Sequence, residues 1–171
     1  VKKIDYESMF KALIEQRAIS EEAAKRIARL ANGSWQKALE ELQAGGENEL
    51  FLDMFQHVMR LAYMRNIKEI KKWSETIAGF GREKQKRFLE YFLRLIRENF
   101  IYNFNNSELV YMTQREEDFA KNFARFINEN NILQIYDITN RAIRDIGQNA
   151  NGKIVFFDLA MQMIVLLLQK K

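Results

Sequence analysis

The stretch REKQKRFLEYFLRLIRENFIYNF, residues 82–104, decides the fold class. Its apolar side chains recur at intervals of three and four residues, which places them on one side of an α-helix. These positions are Phe88, Phe92, Leu95, Ile96 and Phe100, with Leu89 and Leu93 beside them. We therefore predict a long amphipathic helix over 82–104 that packs against other helices.

The composition of the whole chain also favours helices. The 171 residues include no proline and only seven glycines, while 47% of them are hydrophobic. A sandwich or a barrel needs many tight turns, and this chain has few residues that form them. The predicted fold class is all-α.

Apolar periodicity, caps and turn residues predict eight or nine helices and no strand. The predicted helices cover about 6–17, 21–31, 35–43, 48–64, 67–78, 82–104, 114–129, 132–147 and 153–169. Gly45-Gly46 is the only pair of adjacent glycines in the chain, and we place a domain boundary there. The prediction is a three-helix domain at 1–45 and a helical domain at 46–171.

Few side chains are available for catalysis or metal binding. Cysteine is absent and His57 is the only histidine, which excludes thiolate and multi-histidine metal sites. The glutamate pairs at 21–22, 40–41 and 116–117 are explained by helix ends. No phosphate-loop or dinucleotide-binding motif occurs. We predict no catalytic residue, no metal ligand and no cofactor.

Basic residues are concentrated between Arg60 and Arg97. The chain has a net charge of +4, and this segment holds eleven basic residues against four acidic ones. Such a patch binds phosphate backbone or an acidic partner, or it is the solvated surface of two amphipathic helices. The candidate contact residues are Arg65, Lys68, Lys71, Lys72, Arg82, Lys84, Lys86 and Arg87.

Residues 20–42, SEEAAKRIARLANGSWQKALEEL, have two interpretations. A DNA-binding helix-turn-helix needs a turn glycine closer to the first small residue than Gly33 is to Ala24. The segment more closely resembles the lid of AAA+ clamp-loader subunits, where a helix with a small-residue face ends in Gly-Ser and leads into a second helix. The matching residues are Ala24, Ile27, Ala28, Ala31, Gly33, Ser34, Ala38 and Leu39.

The resemblance extends over nearly the whole chain. The end of the chain is similar to the end of the clamp-loader collar domain. The matching residues are Asn149, Ala150, Asn151 and Lys153, followed by an apolar run. The resemblance implies a lid followed by a collar, with an AAA+ core upstream of Val1. It implies an assembly function in bacterial DNA replication, in the cytoplasm, without catalysis by this part of the protein.

The resemblance also identifies a nucleotide-contacting position. ATP-hydrolysing relatives place an arginine three residues after the glycine of the Gly-Ser motif, and this chain has Gln36 there, beside Gly33, Ser34 and Lys37. Lys37 lies about 100° away around the helix and points off that face. The resemblance therefore implies a subunit that does not hydrolyse ATP.

The partners implied by the resemblance are the ATPase subunit and the delta subunit, which pack against the collar. The sliding clamp and primer-template DNA are partners only through the whole complex. No membrane contact is expected, because the apolar run 154–168 is too short to span a bilayer. The alternative function is a helical nucleic-acid-binding module that uses residues 60–97.

The last helix offers two readings of its own. Asp158, Gln162 and Gln169 form one narrow polar stripe, and most of the remaining circumference is apolar. Either the helix is buried at the centre of its domain, or one apolar flank stays open until a neighbouring subunit covers it.

Overall fold

The computed structural model describes residues 6–17, 35–104 and 112–169, with side chains at 6–11, 46–104 and 112–169. Within those ranges every regular element is helical, which confirms the all-α prediction. The elements are α1 (Tyr6–Arg17), α2 (Trp35–Met64), α3 (Ile67–Ala78), α4 (Arg82–Tyr102), α5 (Gln114–Phe123), a 3-10 turn (Ala124–Phe126), α6 (Ile132–Gly147) and α7 (Gly152–Leu166). The helix predicted at 21–31 lies outside the described residues.

The chain forms two compact units, residues 1–50 and 51–171. Helix α2 continues through Gly45-Gly46 without a break, so the prediction of separate helices at 35–43 and 48–64 is wrong. A glycine in a helix interior costs only about 1 kcal/mol relative to alanine. Good helix formers on both sides of the pair offset this cost.

In the first unit, the structure describes α1 and the beginning of α2. Met9 of α1 is fully buried, and the rings of Tyr6 and Phe10 stack with their centroids 6.2 Å apart. Most of the lid-like segment, including Gly33 and Ser34, lies outside the described residues. Gln36 belongs to α2, but its side chain is also outside them, so the nucleotide-contacting position stays a prediction.

Aromatic side chains form the core of the second unit. Phe88 on α4 lies at its centre, with ring centroids 5.5 Å from Phe51, 6.0 Å from Trp73 and 6.1 Å from Phe156. All four side chains are buried. Since they come from α2, α3, α4 and α7, this one cluster joins four helices of the unit.

Helix α7 packs between two neighbours. It contacts α3 on one side and α6 on another, and α6 in turn packs on α4. Its buried residues are Phe156, Leu159, Ala160, Met163 and Leu166. Helix α7 is therefore covered on the sides that face α3 and α6.

Short turns with specific backbone chemistry join these helices. Gly81, before α4, has φ 86° and ψ 155°, a conformation that only glycine adopts readily. Asn149, after α6, has φ 65°, which asparagine tolerates better than most residues. Asn151 caps α7, because its side-chain oxygen accepts hydrogen bonds from the N–H groups of Lys153 and Ile154.

The helix predicted at 114–129 is shorter in the structure. Helix α5 ends at Phe123 and the chain tightens into the 3-10 turn. The Asn131 amide donates to the carbonyls of Phe126 and Leu166 at 2.8 and 2.9 Å. The Asn103 amide donates to the carbonyl of Ala124 at 2.8 Å. The carbonyls of Ala124 and Phe126 are ones that a continuing helix would use for its own hydrogen bonds.

Candidate functional site

One flank of α7 remains exposed in the second unit. Ile154 is 67% exposed, Val165 is 60% exposed, and Met161 between them is half-buried. With exposed Asp158 these residues recur at helical spacing, and we call them the open stripe. The structure thus leaves apolar side chains of the last helix exposed, and their coverage by a neighbouring subunit stays a prediction.

Asp158 is the polar member of the open stripe. Its carboxylate accepts a hydrogen bond of 2.7 Å from the Gln162 amide, one helical turn later. The stripe is therefore an apolar surface with one polar position, a composition that suits a protein contact better than a phosphate backbone.

The structure divides the basic residues of 60–97 into two groups. In one group the side chain has a contact within the chain: Lys72 pairs with Glu69 at 3.3 Å, and the Lys84 ammonium lies 4.6 Å from the centre of the Phe80 ring. Arg87 also has an interaction within the chain. Outside the eight candidates, Arg94 and Arg97 pair with Glu116 and Glu98.

The second group consists of basic side chains that make no ion pair among the described residues. Arg65, Lys68 and Lys71 are exposed around the start of α3, and Arg82 is exposed at the start of α4. Lys86 is half-buried. Five of the eight candidate residues thus remain available to an external partner, fewer than the sequence suggested.

A groove opens between α2 and the α5 region. It has a volume of about 410 Å³, and its buried surface comes from Met59, Phe123 and Leu167. Exposed residues line its edge, including Arg60, Tyr63, Met64 and Arg125. We call it the arginine-edged groove.

A second depression of about 420 Å³ adjoins this groove and shares Tyr63 and Phe126 with it. These two rings form an edge-to-face pair with centroids 5.5 Å apart. Tyr63 is 64% exposed, which is unusual for a tyrosine packed against another ring. The second depression is lined on its far side by Ile164 and Leu168 of the α7 region.

Glu116 at the start of α5 is a buried carboxylate with several hydrogen-bond donors around it. Its first oxygen accepts from the Thr113 N–H at 2.9 Å, and the Thr113 hydroxyl accepts from the Glu116 N–H, which confirms the predicted capping box. Its second oxygen accepts from the Tyr91 hydroxyl at 2.7 Å and from the Arg94 guanidinium at 2.6 Å.

Burial of the carboxyl raises the pKa of Glu116, but these donors outweigh burial. The Thr113 N–H, the Tyr91 hydroxyl and the positive charge of Arg94 hold the pKa below its ordinary value. Glu116 therefore remains ionised at neutral pH. Its geometry is that of a structural anchor for the start of α5, and general-acid catalysis would need a raised pKa instead.

Among the residues that the structure describes, no cluster of three or more metal-ligating side chains occurs. His57 is exposed on α2. Within the same ranges, no helix combines the length and apolar character needed to cross a bilayer. The arginine-edged groove was not foreseen from the sequence, because its walls come from residues near 60, 123 and 167.

Comparisons with models of protein families, with curated proteins and with solved structures found no match to this chain.

Proposed function

We propose that this chain is the lid and collar part of a bacterial clamp-loader subunit, of the delta-prime type in DNA polymerase III. Its function is assembly: the collar packs against the ATPase subunit and the delta subunit so that the complex can load the sliding clamp onto DNA. This part of the protein has no catalytic activity of its own, and it acts in the cytoplasm.

The open stripe is the observation that carries this proposal. Ile154 and Val165 are aliphatic side chains that remain about two-thirds exposed on a helix whose opposite side is buried. Exposed aliphatic surface of this kind gains stability when a second protein excludes water from it. Two further features support the proposal: the resemblance of residues 20–42 to a clamp-loader lid, and the helical character of the second unit.

A binding experiment with the full chain tests the proposal. The chain is mixed with purified ATPase and delta subunits, and complex formation is followed by size-exclusion chromatography. We expect the wild-type chain to co-elute and the double variant Ile154→Ser/Val165→Ser to lose at least about tenfold in affinity, since two buried aliphatic contacts would disappear.

A matched control uses a third exposed aliphatic residue. Leu133 on α6 is 76% exposed and lies off the open stripe, so Leu133→Ser should leave assembly unchanged. Circular dichroism should show native helix content for all variants, because the substituted side chains contribute little to the core. If the wild-type chain does not co-elute, or the control loses as much affinity as the double variant, the proposal is wrong.

Nucleic-acid binding is the second candidate function, favoured by the exposed side chains of Arg65, Lys68 and Lys71. We expect only weak DNA binding that disappears between low and physiological salt, since phosphate contacts depend steeply on ionic strength. Fluorescence anisotropy with labelled duplex DNA measures this. Lys68→Glu/Lys71→Glu should abolish the weak binding, and tight binding at physiological salt would favour this second function over assembly.

A further inference from the structure

We propose that the arginine-edged groove binds an acidic amphipathic helix of a partner protein, at a site separate from the open stripe. The groove offers an apolar interior of about 410 Å³ formed by buried Met59, Phe123 and Leu167. Side chains such as leucine or phenylalanine on one face of a helix would enter it, spaced three and four residues apart.

The positive charge at the edge of the groove favours a partner with acidic side chains. Arg60 and Arg125 are exposed on its edge, and neither makes an ion pair within the described ranges. None of the described residues that line the groove is acidic. The Arg125 guanidinium lies 5.0 Å from the centre of the Phe126 ring, so it is held beside the apolar surface. Carboxylates that flank an apolar anchor would meet both arginines.

A helix suits this surface better than an extended peptide. An extended peptide leaves its backbone N–H and C=O groups to be paired by the binding site. Among the described lining residues Asn122 alone carries a side-chain amide, and the described elements offer no strand edge. A helix satisfies its own backbone and presents only side chains to the groove.

The depression beside the groove agrees with this assignment. It shares Arg60, Phe119 and Asn122 with the groove and adds Gln56 and two charged residues, Arg115 and Asp118. The charges of these two additional residues are already paired: Arg115 with Asp53 at 2.9 Å, and Asp118 with Lys121 at 3.4 Å. The positive charge available to a partner is therefore that of the groove itself.

The test uses two synthetic helical peptides labelled with fluorescein, each of about 14 residues and thus about 21 Å long as a helix. Both carry leucine and phenylalanine at i, i+3, i+4 and i+7; one carries glutamate at the flanking positions and the other carries lysine. Anisotropy is measured with the full chain. We expect saturable binding of the glutamate peptide, roughly tenfold tighter than that of the lysine peptide.

Variants locate the binding. Arg60→Glu and Arg125→Glu should each weaken binding of the glutamate peptide severalfold. Lys71→Glu, which replaces an exposed cation on α3, should leave this binding unchanged. Tyr63→Ser removes an exposed side chain from the wall of the groove. It should weaken binding of both peptides without unfolding the chain. Absence of binding, or equal binding of the two peptides, overturns the proposal.

Two further outcomes would also overturn it. If the chain dimerises and Tyr63→Ser abolishes the dimer, the occupant of the groove is a second copy of the chain. If the groove variants also fail to bind the clamp-loader subunits, the groove belongs to the assembly surface. Ile154→Ser/Val165→Ser should leave peptide binding intact, so this proposal and the assembly proposal can fail independently.

Discussion

Replacement of Glu116 by glutamine should destabilise the second unit in a pH-dependent way. The substitution keeps the size of the side chain but removes its charge and turns one oxygen into an amide donor. Tyr91, Arg94 and the Thr113 N–H all donate to this side chain, so in either orientation the new amide faces one of these donors. A buried donor left without an acceptor is costly.

The magnitude follows from burial of the two partners. Breaking a fully buried ion pair costs about 3–5 kcal/mol, and a hydrogen bond to a charged group contributes about 1.5–3 kcal/mol. The Glu116 side chain is 2% exposed, but that of Arg94 is 38% exposed and can be solvated by water. We therefore expect Glu116→Gln to lower the free energy of unfolding by about 2–3 kcal/mol at pH 7.

The pH dependence has a defined sign. The folded-state pKa of Glu116 is lower than its ordinary value of 4.5, so folding favours the ionised carboxylate. Its stabilisation is fully present above the unfolded-state pKa and is lost as the pH falls through the folded-state pKa. The difference between the wild type and the variant should therefore be largest near neutral pH and shrink in acid.

Urea unfolding followed by circular dichroism at a series of pH values measures both effects. The control is Glu117→Gln, which removes the neighbouring charge of the same helical turn but leaves the network of Glu116 intact. It should cost no more than about 1 kcal/mol, the usual contribution of a charge near a helix N-terminus. The reasoning fails if Glu116→Gln behaves like this control, or if its deficit does not diminish in acid.

Two glycine substitutions should change stability in opposite directions, as thermal or urea unfolding can measure. Gly81→Ala should destabilise by about 1–3 kcal/mol, because φ 86° with ψ 155° strains any side-chain-bearing residue although the space around it is open. Gly46→Ala, inside α2 and equally open, should instead stabilise by about 0.5–1 kcal/mol through helix propensity. A stabilising alanine at position 81, or a destabilising one at position 46, would contradict these backbone arguments.

Two helices with a clear apolar stripe could be predicted from the sequence to the residue, while α4 and α7 end two and three residues before their predicted ends. The bounds of α3 and α6 agree with the predicted 67–78 and 132–147, because their apolar positions and end signals coincide. The continuous α2 could not be predicted, since the effect of Gly45-Gly46 depends on the helical residues around it. The early end of α5 depends in part on the Asn103 amide, which lies 21 residues before Ala124 in the sequence.

The candidate interaction surfaces could also be predicted only in part from the sequence. The sequence predicts that α7 carries apolar residues around most of its circumference. Which flank of α7 stays exposed depends on where α3 and α6 pack. The arginine-edged groove depends still more on packing, because three separate segments form it. Local patterns therefore predict elements, while interaction surfaces require the arrangement of those elements.

This distinction bears on which residues support the assembly proposal. Asn149 and Asn151 resemble a family ending, yet the structure gives each a local purpose, the positive φ of one and the helix cap of the other. Any fold with this turn would favour asparagine at both positions. Ile154 and Val165 have no such local purpose, since a polar residue would serve an exposed helix position as well. The assembly proposal therefore relies more on the open stripe than on these two asparagines.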